Sequence, residues 1–144
     1  MVEDRVRVPF EAGYAGDIGL AVICFAICEW NAVWCAEKIE PGYIRTVRRK
    51  TAGQIAKDLI RIAAKLPSEP FGDRLRDAAT EFLRLTDRRN DLLHANPGTD
   101  ADGSQRLFRD GVAWSPRDIQ EFADQTTRCS GILNDILHTH LLNP

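Results

Sequence analysis

The stretch Arg89-Asn90-Asp91-Leu92-Leu93-His94 decides how this chain is read. It closes a run whose apolar residues, Phe71, Leu75, Ala78, Phe82, Leu85 and then Leu92, recur every three or four positions. That is the period of an amphipathic helix. The same spacing lands on position 89, where the residue is Arg. A guanidinium on the buried face of a helix is costly unless it is paired, solvated in a cleft, or used. Such a conflict between pattern and residue type marks a place to look for function.

Outward from that helix, the chain divides into helical segments. Met1 to Gly16 reads as irregular, because it contains Pro9, Gly13 and Gly16. Asp17 is placed to cap a first helix that runs to about Ile39 and stops at Pro41-Gly42. Its first half is apolar on all sides, which predicts the central and most buried helix, and Trp30 and Trp34 widen that face. Thr51 with Gln54 forms a capping box for a second helix, Ala52 to Leu66, with Ile55, Leu59, Ile62 and Ala63 inward. The third helix starts near Phe71 and continues to about His94 or Ala95, where Asn96-Pro97-Gly98 breaks it. Thr99 to Ser104 is a polar loop. Gln105 to Arg109 and Val112 to Trp114 flank Asp110-Gly111, a strong turn pair, and predict a short β-hairpin. Ser115, Pro116 and Asp118 begin a last helix that reaches about Leu142. Its stripe is Ile119, Phe122, Thr126, Cys129, Leu133, Ile136, Leu137 and His140. The expected fold is all-α: a four-helix bundle in a single domain, residues 1–144, with the hairpin inserted before the last helix.

Bulk properties narrow the function classes. A chain of 144 residues can bury a core without disulfide or metal staples. The formal net charge of -2 offers no global basic field for nucleic acid. The cations are mostly Arg, which suits bidentate contact with phosphate or carboxylate, and they cluster at Arg45, Arg48, Arg49 and Lys50. Cys24, Cys28 and Cys35 sit at helical spacing on an apolar segment and, with Cys129, form no CxxC pair. They read as small core residues rather than zinc ligands, so no metal or other cofactor is expected. Free thiols suit a reducing compartment, hence the cytoplasm. The first sixteen residues carry mixed charge and no leading apolar run, so no secretory signal is expected. The apolar run Ile18 to Cys28 is too short to span a bilayer and ends at Glu29.

The chemistry of the Arg89–His94 stretch follows from its spacing. Asn90 and His94 are four apart and share a helix face. Arg89 and His94 are five apart and point about 140° away from each other. Either the helix end distorts, or two copies of the helix face each other across a two-fold axis. The second arrangement puts two imidazoles and two guanidinium groups in one cleft. That set suits RNA cleavage. One imidazole takes the proton of a 2′-hydroxyl as it attacks the neighbouring phosphorus, and the other protonates the leaving 5′ oxygen. The guanidinium neutralises the charge that builds on the phosphate. Asn90 is placed to orient His94 or a phosphate oxygen.

At this motif the chain resembles a family. Arg89-Asn90-x-x-x-His94, at the end of a long helix in a four-helix outline, is similar to the Arg, polar residue, spacer, His motif of HEPN-domain ribonucleases. The resemblance implies a small helical domain that dimerises. It implies metal-independent endoribonuclease activity on RNA, with Arg89, Asn90 and His94 at the dimer cleft. Members occur as toxins in toxin–antitoxin pairs and in antiviral systems, so the resemblance also allows an antitoxin protein as partner.

Each residue has a plainer reading. Arg89 and His94 also suit a helix C-terminus, where cations balance the dipole and an Arg stem covers apolar surface. Arg45, Arg48, Arg49 and Lys50 steer RNA or merely face water. Trp114 and Phe108 anchor the hairpin in preference to stacking a base. Glu29 falls on the inward stripe of the first helix and needs a partner, an Arg or the motif itself. Asp91 is placed to orient His94 or an Arg. The alternative function is a non-catalytic helical module that dimerises and binds a protein or nucleic-acid partner.

Overall fold

The computed structural model describes residues 9–142. The part of the predicted irregular N-terminus before Pro9 lies outside them. The chain is mostly helical, as expected, with a small antiparallel sheet. The order is α1 (Ala12–Ile39), a 3₁₀ segment (Tyr43–Arg49), α2 (Ala52–Ala63), α3 (Asp73–Leu93), β1 (Asn96–Thr99), β2 (Gln105–Arg109), β3 (Val112–Ala113) and α4 (Pro116–Ile136).

Local chemistry sets the helix ends. At α2 the Gln54 amide donates to Thr51 Oγ1 (3.2 Å) and the Thr51 amide donates to Gln54 Oε1 (2.8 Å). At α4 Ser115 and Asp118 make the same reciprocal pair, with Pro116 opening the helix. The carbonyls that end α2 are capped from α3: Arg76 Nη1 donates to Ala63 O and Leu66 O, both at 2.9 Å. A kinked turn, Ser68–Gly72, with Glu69 extended (φ -102, ψ 151), leads into α3. Only glycine fits position 72, because a Cβ there would lie 1.8 Å from the Pro67 carbonyl oxygen.

The start of α1 corrects the sequence reading. The helix begins at Ala12, not at Asp17, and runs through Gly13 and Gly16. Tertiary contact overrides the weak local preference. The Tyr14 hydroxyl donates to Trp114 O (2.7 Å) and accepts from the Leu107 amide (3.0 Å), tying the first turn to the sheet. Asp17 is left inside the helix, where its carboxylate accepts a hydrogen bond from Gln120 (3.3 Å).

A second correction concerns burial. One face of α1 enters the core through Tyr14, Ala21, Phe25, Cys28, Ala32, Val33, Cys35 and Ala36. The opposite face is not buried: Leu20, Ile23, Ile27 and Trp30 are exposed. α4 packs along α1, and α2 and α3 pack on each other and on the remaining sides. Among the described residues no other α-helix covers the fourth side of α1, and residues 137–141 reach only its C-terminal part, where Trp34 is half-buried. By length and composition α1 could also cross a membrane, a property shared with core helices of soluble proteins.

The core is built from Phe25, Phe82 and Phe122, which stack (5.6 and 6.5 Å between centroids), with Leu59, Ile62, Leu75, Leu85, Ile119 and Leu133. Cys28, Cys35 and Cys129 are buried there as free thiols, and Cys24 is half-buried. His140, at the end of the α4 stripe, stacks on Phe71 (5.1 Å). The expected hairpin is present, with Asp110 and Gly111 both at positive φ. It gains a third strand where the sequence pattern predicts a helix breaker and loop: β1 pairs with β2, Pro97 opposite Leu107. Strand order is β1-β2-β3.

Candidate functional site

The last two turns of α3 lie against the first half of α1 and beside the sheet. Arg89 occupies the core-facing stripe of α3, as its spacing requires, and is half-buried. Its guanidinium lies over the Phe25 ring, 4.9 Å from the centroid. Arg89 Nη1 donates to Asn90 Oδ1 (2.9 Å). Phe25 carries no sequence signal that marks it as a site residue. Its place opposite Arg89 depends on how α1 and α3 pack, which no local pattern encodes.

Glu29 lies one helical turn beyond Phe25 on α1. Burial pushes its carboxyl above the ordinary carboxylate range, and the nearby Arg89 cation partly opposes that rise. The motif Arg is thus a cation close enough for Glu29 to feel, without being shown as its bonded partner. Among the described residues no ion pair closes the gap to contact distance.

His94 is exposed and ends the helix, with φ -98 and ψ 9 at the cap. Its amide donates to Asn90 O (2.9 Å). α3 stays regular through Leu93, so the five-residue offset between Arg89 and His94 is kept. Among the described residues no hydrogen bond or ion pair joins the two side chains. A distorted helix end that would bring them together is not what the chain adopts.

The sheet holds this end of α3 in place. Arg109 on β2 approaches Asp91 (Nε to Oδ1, 3.6 Å) and donates weakly to His94 O (3.4 Å). Asp91 therefore faces an Arg, from the hairpin. The Arg88 guanidinium lies over Trp114, 4.1 Å from its ring centroid. Trp114 is buried and meets Phe122 edge-on, so it anchors the hairpin and offers no free face to a base. Phe108 is half-buried and lies on Gly98 of β1. Arg88, Asp91, Arg109, Asp110, Trp114 and Asp118 are among the residues lining an open cavity of about 420 Å³ there.

The basic cluster lies in the 3₁₀ segment and the residue after it. Arg45, Arg48 and Arg49 are exposed. Lys50 differs: its ammonium pairs with Asp58 (2.7 Å) and lies over the Tyr43 ring (4.7 Å). Tyr43 also donates to Asp58 (2.9 Å). Lys50 thus ties the segment to α2. Among the described residues no hydrogen bond or ion pair joins the cluster to Arg89, Asn90 or His94. No group of three or more His, Cys, Asp or Glu among the described residues could hold a metal ion.

Compared with known proteins, this chain matches no family model, no curated protein and no solved structure.

Proposed function

We propose that this chain is a metal-independent endoribonuclease of HEPN type, acting on single-stranded RNA in a cleft shared by two copies. The four α-helices would then form a HEPN-like bundle. The observation that carries the proposal is the placing of Arg89: a guanidinium set into the core-facing stripe of α3, over Phe25, with Asn90 bonded beside it and an exposed His94 at the end of the same helix.

The chemistry uses side chains alone. One His94 accepts the proton of the 2′-hydroxyl as that oxygen bonds to the adjacent phosphorus. The bond from phosphorus to the 5′ oxygen breaks, and the partner's His94 gives that oxygen its proton. The products are a 2′,3′-cyclic phosphate and a 5′-hydroxyl. Arg89 neutralises the charge on the pentavalent phosphate, and Asn90 holds the guanidinium in register. Arg45, Arg48 and Arg49 supply an exposed basic surface for the RNA backbone; Lys50, held by Asp58, contributes less. The same reading expects a cytoplasmic protein, used as a toxin or defence effector, with an antitoxin protein as a further partner.

The test is cleavage of a labelled single-stranded RNA by purified protein in EDTA. Cyclic-phosphate ends, lost in His94→Ala and Arg89→Ala with helicity intact, are expected. Full activity in both variants would reject the roles of His94 and Arg89. Growth arrest on expression, relieved by His94→Ala, is the cellular counterpart.

A second reading has its own support. Phe25 and Asn90 between them already give Arg89 the contacts of a structural cation. On that reading the chain is a non-catalytic helical module that dimerises and binds a protein or nucleic acid. It predicts no cleavage at any concentration and altered assembly in the Arg89 variants.

A further inference from the structure

We infer that a second copy of this chain seats on the outward ridge of α1. Resting on the dimeric arrangement proposed above, this names the surface that the arrangement leaves open. The ridge is Gly16, Leu20, Ile23, Ile27 and Trp30, ending at Trp34, which is half-buried against the core; the six are spaced four, three, four, three and four apart. That is the alternation of a coiled-coil seam, which keeps one edge of a helix facing a partner. α1 already has a separate core-facing set in Ala21, Phe25, Cys28 and Ala32. The ridge is therefore a second apolar face, beyond what the fold needs.

Leu20, Ile23, Ile27 and Trp30 are each 51–58 % exposed. Together with their apolar neighbours they leave roughly 500 Å² of nonpolar surface in water, near the top of the range for the largest patch on a monomer. Doubled across a two-fold axis, that is roughly 1,000 Å², the size at which specific pairing begins. A Cβ at Gly16 or Gly19 would meet nothing within 4 Å, so that end of the ridge is open to a close approach.

Charge selects the occupant. Between Gly16 and Trp34 the charged residues are Asp17 and Glu29, both acidic. A helix that lies on anionic lipid carries Lys and Arg along its polar flanks, and α1 has none between Gly16 and Trp34. An uncharged apolar seam is complementary to itself, as a two-fold interface must be. The exposed face also reaches toward the motif. Val22 and Ala26, both exposed, continue it from the ridge to half-buried Glu29, one turn beyond the Phe25 ring that Arg89 covers. A copy that covers this face also lies beside half-buried Arg89, the group that one chain alone does not bring to His94.

Sedimentation velocity of three proteins tests this: wild type, the ridge variant Ile23→Asp/Ile27→Asp, and Val112→Asp as a control at an exposed apolar site on the hairpin. Wild type and control are expected to be dimers. The ridge variant is expected to associate about 100-fold more weakly, with unchanged circular dichroism, since it removes the centre of the seam. A monomeric wild type overturns both the ridge and the dimeric ribonuclease. A dimeric ridge variant overturns the ridge alone. A monomeric ridge variant that cleaves RNA at the wild-type rate upholds the ridge and overturns the shared cleft. Wild type that pellets as a monomer with phosphatidylcholine–phosphatidylglycerol vesicles overturns the choice of partner.

Discussion

Replacing Arg89 with Met separates the structural work of this side chain from its chemical work. Met keeps the apolar stem along α1 and removes the guanidinium. Three interactions go with it. The contact over Phe25, at 4.9 Å, is of the kind worth about 0.5–1 kcal/mol near a surface. The bond to Asn90, at 2.9 Å, is worth about 0.5–1.5 kcal/mol net, and the freed Asn90 oxygen reaches water. The cation that opposes the raised Glu29 pKa is lost, so Glu29 becomes harder to ionise. Against these, Met gains better apolar packing on the Phe25 ring. The balance is a loss of roughly 1–2 kcal/mol, or roughly 3–6 °C in melting temperature for a domain of this size. The rate should fall much further, by about 10²–10³, the usual cost of removing one donor that stabilises transition-state charge. Single-turnover cleavage of a fluorophore–quencher RNA reads the rate, and calorimetry reads the melting point. An Arg89→Met protein that melts within this range and cleaves within about threefold of wild type refutes the catalytic assignment. A melting point lowered by more than about 10 °C refutes the energetic reasoning, because the head group would then carry far more packing than its contacts imply.

The remaining predictions are smaller in scope. Glu29→Gln should raise the melting temperature at pH 7. A carboxyl whose folded pKa is raised contributes stability only while protonated, fully below the unfolded value of about 4.3, and loses it as pH rises through the folded value. The gain in the amide variant should therefore vanish as the pH falls toward 4, and a lower melting point for the variant at pH 7 would show that the ionised carboxylate is stabilising. Thr126→Val should stabilise by about 1 kcal/mol, read by urea titration, because the buried Thr126 hydroxyl has no hydrogen-bond partner; destabilisation would mean that the hydroxyl is satisfied. Gly72→Ala should cost at least about 2 kcal/mol, since its methyl would overlap the Pro67 carbonyl and the backbone must shift, and an unchanged melting point would contradict that geometry.

Much of the frame was legible because it is written in local chemistry. The capping box at Thr51 and Gln54, the start of α4 at Ser115-Pro116 and the Asp110-Gly111 turn are read from a few neighbouring residues. The inward place of Arg89 was legible from the period of α3. What failed depends on distant contact. The early start of α1 relies on Tyr14 reaching Trp114 and Leu107, about a hundred positions away in the chain. The strand at Asn96–Thr99 is made by pairing with β2, which outweighs Pro97 and Gly98. The outward ridge of α1 reads as buried surface in the sequence, because an apolar helix has the same pattern whether its second face is covered or open. Likewise the spacing of Arg89 and His94 fixed their divergence, but the resting place of Arg89 over Phe25 came only with the packing of α1 on α3.

The shared cleft is tested most directly by mixing subunits. Wild type and His94→Ala are unfolded together and refolded at a series of ratios, at constant total protein, and RNA cleavage is measured at each. If both imidazoles of a dimer are needed, one as base and one as acid, only wild-type pairs are active and the rate follows the square of the wild-type fraction. A rate that falls in direct proportion to that fraction would mean that each chain cleaves on its own, and the two-copy site would be wrong.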